Sequence, residues 1–176
     1  VILSAVRDHP SGAMIVVPNA IVTSWGEQEG RFFENDKLAV IAGNSAREKT
    51  ARLKSTQLPM RVVNREFLRN KTHGRFDVMN ARKDQVIVLD ESQFISSTTS
   101  QQSQGARDLA GSFLVLSSAT PFANLKSIRN VLGFLNRNAK GLESQEAFDR
   151  LFNRNDPDSL RLLHFMFNPY VIRIKI

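Results

Sequence analysis

Val86-Ile87-Val88-Leu89-Asp90-Glu91 is the stretch on which the fold turns. Four consecutive apolar residues, three of them β-branched, are too few for a helix and too uniform for a strand with one wet face. Such a run reads as a strand buried on both sides, as in parallel sheets covered by helices. Two carboxylates stand at its end. Asp and Glu are rarely kept beside a core without a partner. In open parallel sheets, reactive groups gather just past the carboxyl ends of strands. A divalent cation would supply a partner here. Asp90 could hold Mg²⁺, directly or through water, and Glu91 could orient and deprotonate an attacking water. The plainer alternative is an acidic helix start, where carboxylates favour the helix dipole.

Outward from this stretch, short apolar runs alternate with amphipathic ones. Met14 to Val17, Leu38 to Ala42, Arg61 to Val63 and Phe113 to Leu116 read as further strands, and Tyr170 to Ile174 as a last one. Ile21, Trp25 and Phe32 share one helical face. Ser45 to Ser55 reads as a helix opened by a capping box, Ser45 with Glu48 three residues on. Arg65 to Asn70 reads as a short helix. Leu125, Ile128, Leu132 and Leu135 line another helix, Glu143 to Phe152 forms the next, and Asp156-Pro157 caps one more. Ser96 to Gln104, rich in Ser, Thr and Gln, reads as a surface loop or the frayed start of a helix. Strands separated by helices give an α/β class with a mainly parallel sheet.

The second strand end of interest is Phe113-Leu114-Val115-Leu116-Ser117-Ser118-Ala119-Thr120-Pro121. Its hydroxyls could bond neighbouring carboxylates or phosphate oxygens, or simply make a turn. Asn124 can cap the helix that follows. If the two strands are neighbours, Asp90 and Glu91 lie near Ser118 to Thr120.

The bulk numbers narrow the class. The 176 residues are 41% hydrophobic and 23% charged, a globular balance with no internal repeat and no second domain. With no cysteine, disulfides and thiolate metal sites are excluded. His9, His73 and His164 are too scattered for a zinc site. No apolar run approaches the roughly 20 residues of a membrane span, and no leader opens the chain. The expectation is a soluble intracellular protein, nuclear if the organism has a nucleus. From Arg47 to Lys83 there are 11 basic residues against Glu48, Glu66 and Asp77, a net +8 in a chain of net +7. Such a segment, with Arg47, Arg52 and Lys54 on its first helix, is the footprint of a phosphate-backbone binder, or else an ordinary solvated surface.

In order along the chain, these motifs resemble the first motor lobe of the Snf-type (sucrose-nonfermenting) ATPases of the second helicase superfamily. Met14-Ile15-Val16-Val17-Pro18 with Trp25 resembles the strand ending in Val-Pro and its downstream Trp. Leu38 to Gly43 with Ala46-Arg47 resembles the next strand and its Gly-x-x-x-x-Arg continuation. Asp90-Glu91-Ser92-Gln93-Phe94-Ile95 resembles the Asp-Glu-Ala-His or Asp-Glu-Ala-Gln box. Ser118-Ala119-Thr120-Pro121-Phe122-Ala123-Asn124 resembles the coupling motif. Phe148 to Phe152 and Asn168 to Lys175 resemble the end of the lobe.

The resemblance implies a single RecA-like lobe over residues 1–176, a three-layer α/β/α fold. It implies a motor that couples ATP and Mg²⁺ to translocation on duplex DNA, of chromatin-remodelling or repair type. Asp90 and Glu91 would then be catalytic, with Mg²⁺ on Asp90. Gln93, Ser118, Ala119 and Thr120 would couple nucleotide to DNA. Pro18, Asn19 and Trp25 would shape the segment nearest the DNA backbone. There are departures. No Gly-rich loop with Gly-Lys-Thr occurs, so the lobe is expected to be truncated at its N-terminus, with the second lobe also absent. Ser96 and Ser97 replace the usual Lys-Asn, and the closing Arg-Arg is reduced to Arg173 before Ile174. The chain alone is therefore expected to turn over no ATP. The alternative is an inactive scaffold that binds nucleic acid or a partner protein through its basic face.

Overall fold

The computed structural model describes residues 6, 8–32, 37–69, 75–111, 113–120, 124–135, 144–152 and 156–168. The expected strand Tyr170 to Ile174 lies outside them, as do Pro121 to Ala123. The described residues form two compact units. One comprises Val1–Phe94 and Thr98–Pro121, the other Ile95–Ser97 and Phe122–Ile176.

The first unit is built on five strands: β1 (Ala13–Val17), β2 (Leu38–Val40), β3 (Met60–Asn64), β4 (Val86–Leu89) and β5 (Phe113–Leu116). Their order across the sheet is β2-β3-β1-β4-β5, and every pairing is parallel. Helical crossovers impose that direction. They are α1 (Val22–Phe32), α2 (Ala46–Ser55), α3 (Arg75–Met79) and α4 (Gln101–Arg107). The class is α/β, as the alternating runs require.

Burial follows the apolar runs. Every residue of β1, β3 and β4 is buried. Ala13, Ile15, Val17, Met60, Val62, Val86 and Val88 face one core with Val22 and Trp25 of α1. Met14, Val16, Val63, Ile87 and Leu89 are buried on the opposite face. The expectation of doubly covered strands fails for β5, where Phe113 is 62% exposed and Val115 36%. Among the described residues, β5 is the last strand on its side of the sheet.

Two ends differ from expectation. β2 stops at Val40, because the Ala42 amide turns back to the Val40 carbonyl at 3.0 Å. β3 is longer, with the Met60 amide reaching Lys37 O at 3.0 Å and Asn64 in register with Val17. The helix expected at Arg65 is a 3-10 turn, Arg65–Leu68. Of the stretch Ser96 to Gln104, Ser96 ends a 3-10 turn (Ser92–Ser96), 97–100 is an irregular and mostly exposed segment, and Gln101 opens α4, capped by the Ser100 side chain. Gly12, at φ +72, lets β1 start against the chain entering β3, since a Cβ there would meet Pro59 O at 2.0 Å.

The second unit contains α5 (Leu125–Leu135), α6 (Gln145–Phe152) and α7 (Pro157–Phe167). Leu132, Phe148, Phe152 and Leu163 form its core, with Ile128 and Met166 packed on it. Its caps follow the sequence. Asn124 Oδ1 accepts the Ser127 amide at 2.9 Å, and Asp156 accepts the Asp158 and Ser159 amides ahead of Pro157.

Candidate functional site

Parallel strands place all their carboxyl ends on one edge, so the loops after β4 and β5 meet. The Asp90 amide continues the ladder by donating to Val16 O at 2.9 Å. The Ser117 amide donates to Leu89 O at 2.9 Å, and the Ser92 amide to Ser117 O at 2.8 Å. Glu91 sits between these anchors at φ 48, the left-handed region. That conformation costs a non-glycine residue roughly 1–2 kcal/mol, and such strain persists only where the surroundings fix it.

A side-chain relay leads away from Glu91. Gln93 Nε2 donates to Glu91 Oε2 at 3.0 Å, and Gln93 Oε1 accepts the Ser118 hydroxyl at 2.8 Å. Ser118 Oγ in turn accepts the Thr120 amide at 3.1 Å. The two contacts set the direction of the Gln93 amide: nitrogen toward the carboxylate, oxygen toward the hydroxyl. Glu91, Gln93, Ser118 and Thr120 are thus brought together, Thr120 through its backbone. Ala119 is exposed and serves as the spacer between them. The Asp90 carboxylate takes no part in the relay.

Among the described residues, no cluster of three or more metal-ligating side chains exists. A dedicated metal cage is therefore absent there, but Mg²⁺ is commonly held by one or two carboxylates together with nucleotide phosphates and water. Asp90, a single carboxylate at the strand end, is of the kind that second arrangement uses.

At the end of β1, Pro18 is half-buried, and Asn19, exposed, opens a 3-10 turn leading into α1. Trp25 is only 7% exposed and packs in the core under β1. It shapes that strand end from beneath and offers no face for direct contact.

Among the described residues, the basic segment does not form one face. Arg47 and Lys54 are exposed and seven residues apart on α2, hence on one stripe of the helix. Arg52 lies about 140° around from Arg47 and pairs with Glu48 at 2.9 Å. Arg61 is buried, bonded through its guanidinium to Gln85, with Nε unpartnered. Burial, then the nearby charge of Arg82, lowers its pKa from the ordinary arginine value to about 10. Arg82 donates to the carbonyls of Gln57, Leu58 and Pro59, at the amino end of β3. Among the described residues, the cations of the segment are thus divided between the surface of α2, the core and the two ends of β3.

A polar row at the carboxyl end of β3 escaped the sequence reading. Lys49 Nζ donates to Asn64 Oδ1 at 3.0 Å, and Asn64 Nδ2 to Glu66 Oε2 at 3.2 Å. Arg65 Nε lies 3.4 Å from Glu66 Oε1, and its guanidinium carbon is 6.0 Å from the Phe94 ring centre. The available signal was Asn64, a polar residue directly after the apolar pair Val62-Val63.

A family model described as the SNF2-related domain matches residues 3–175. The chain belongs to the SNF2-related domain family. Among solved structures, this SNF2-related chain is similar to the Sulfolobus solfataricus SWI2/SNF2 ATPase core in complex with dsDNA. The TM-score is 0.74 at 17% identity, over 98% of this chain and 36% of the other. The likeness identifies the fold as RecA-like α/β, and the chain spans about a third of that structure's length. No curated protein gives a significant match. No helix among the described residues is long and apolar enough to cross a membrane.

Proposed function

We propose that the carboxyl edge of this SNF2-related sheet is the hydrolytic and coupling edge of a nucleic-acid-dependent motor ATPase acting on duplex DNA. The observation that carries the reading is the Glu91–Gln93–Ser118 relay across the ends of adjacent parallel strands. Phosphoryl transfer to water needs a base-like group aimed at the nucleophile and charge neutralisation around the phosphate. Glu91, set by its anchored backbone, orients the water and takes its proton. Asp90 holds Mg²⁺, which supplies charge neutralisation on the phosphate oxygens when bound. Gln93 reports the state of Glu91 to Ser118 and the Thr120 amide. Pro18 and Asn19 present the end of β1 to the DNA backbone, with Arg47 and Lys54 as outlying phosphate contacts. The Gly-Lys-Thr loop and the second lobe, absent from these 176 residues, supply the remaining phosphate contacts in a complete motor. Translocation in chromatin remodelling or repair, with a nuclear setting in a eukaryote, follows from the same reading.

The test is ATP hydrolysis with and without duplex DNA, in a chain extended to include a phosphate loop and second lobe. Glu91→Gln should abolish turnover and retain ATP binding. Gln93→Ala should lower the stimulation by DNA more than the DNA-free rate. Turnover unaffected by Glu91→Gln would refute the assignment. DNA binding without any hydrolysis by the extended wild type would favour the scaffold.

A further inference from the structure

In sheet order β1 lies between β3 and β4. Arg65 follows β3, and Phe94 belongs to the turn after β4, so their contact joins the two strand ends that flank β1. On one side of that contact lies the row Lys49, Asn64 and Glu66, which begins on α2. On the other side, one residue away, lies Gln93, whose amide holds the Glu91 carboxylate. Arg65 is weakly engaged for a cation in this position. Its distance to Glu66 is long for an ion pair, and 6.0 Å is the outer limit for a cation over a ring. Its side chain is 31% exposed, so a ligand can reach it.

The turn Ser92–Ser96 is itself poised to change. A five-residue 3-10 run is longer than such turns usually hold, and its hydrogen bonds have poorer geometry than those of an α-helix. It begins directly after the strained Glu91.

We propose that the Arg65–Phe94 contact is a phosphate-sensitive latch on the acidic loop. The proposal rests on the nucleic-acid reading above and adds a switch to it. A backbone phosphate at the end of β1 offers Arg65 charge-assisted, two-pronged hydrogen bonds that neither the ring nor Glu66 provides at these distances. Arg65 turns to the phosphate, Glu66 keeps Asn64, and Phe94 loses the cation over its face. The turn then resets, and Gln93 moves with it, which changes its hold on Glu91. Arg65 and Phe94 are positioning residues here, since neither touches the reacting atoms.

The 176-residue chain serves for the test, with a short duplex as probe. Two quantities are followed: duplex affinity, and hydrogen exchange at the Gln93 and Phe94 amides with and without duplex. In the wild type, duplex should change exchange at these amides by roughly threefold or more. Phe94→Leu keeps an apolar side chain of similar bulk. It should leave affinity within about twofold, since no phosphate contact is lost, and abolish the exchange response. Arg65→Lys keeps the charge but not the planar fork, and should weaken the response more than the affinity. An exchange response that survives Phe94→Leu would overturn the latch and leave the nucleic-acid reading intact. Absence of duplex binding by the wild type at low salt would overturn both.

Discussion

Alanine at Gly105 and alanine at Gly133 are the same chemical change in two helices, yet the structure gives them opposite signs. Gly105 lies in α4, where an added Cβ would stand 2.3 Å from the Leu68 carbonyl oxygen and 3.0 Å from Leu68 Cβ. Ordinary contact begins near 3.4 Å, so the backbone of one element must move by about 1 Å. Leu68 is only 1% exposed, and the opposing atom is main chain, so no side chain can swing aside. Overpacking of this kind costs roughly 1–3 kcal/mol, against which better helix propensity returns at most about 1 kcal/mol. Gly133, in α5, meets nothing within 4 Å, so only the propensity gain remains. Gly105→Ala should therefore destabilise by about 1–2 kcal/mol and Gly133→Ala stabilise by about 0.5–1 kcal/mol. Urea unfolding reads both. Trp25, the sole tryptophan, reports the unit that holds Gly105, and far-UV circular dichroism reports the helices. With a slope near 2 kcal/mol per molar urea, the Gly105 midpoint should fall by about 0.5–1 M. An unchanged or higher midpoint for Gly105→Ala, at unchanged slope, would refute the tight packing of α4 on the Arg65–Leu68 turn.

Glu91→Gly should raise stability by up to about 1 kcal/mol while removing hydrolysis from an extended motor, because glycine holds φ 48 without steric cost. A lower unfolding midpoint would show that the Gln93 bond outweighs the strain. Arg61 gives a pH signature. Burial holds its folded pKa below the ordinary arginine value, at about 10, so above pH 10 the unfolded chain binds more protons and stability rises with pH. Relative to Arg61→Met, the wild type should begin to gain stability as pH passes 10. A flat difference between pH 8 and 11 would contradict this. Charge reversal at Arg47 and Lys54 together should weaken duplex binding and lower the slope of log affinity against log salt by about 2. Arg52→Ala should change the slope little, since Glu48 already engages that guanidinium.

The fold was legible because its signal is redundant. Val86 to Leu89 and Phe113 to Leu116 carry both the strand run and the chemistry that follows it, and their bounds in the structure match the sequence reading. Capping residues were equally plain, since Ser45, Asn124 and Asp156 act through their own side chains on amides two or three residues away. Charge was legible in amount but not in place. Arg61 alternates with Val62 along β3 and turns to the face opposite the Val62 core, where burial and Gln85 receive it. Arg52 and Glu48 are four apart and cancel on the helix surface. A count along the sequence includes all these cations, whereas the surface displays fewer.

The candidate site divides in the same way between what one segment encodes and what several impose. That Asp90 and Glu91 stand at a strand end is a local fact. The aim of Glu91 is not local, because no glutamate prefers φ 48. The residue before it is tied to β1 through Val16 O, and the residue after it to the end of β5 through Ser117 O. With both neighbours fixed, a single residue must absorb the turn between them. The left-handed conformation is that solution, held by two other strands. The Glu91 carboxylate then points where Gln93 can hold it, and Gln93 reaches Ser118 because β4 and β5 are neighbours in register. Each relay bond thus depends on the sheet order. An Asp-Glu pair with the same spacing on an isolated hairpin would keep the residues and lose the geometry.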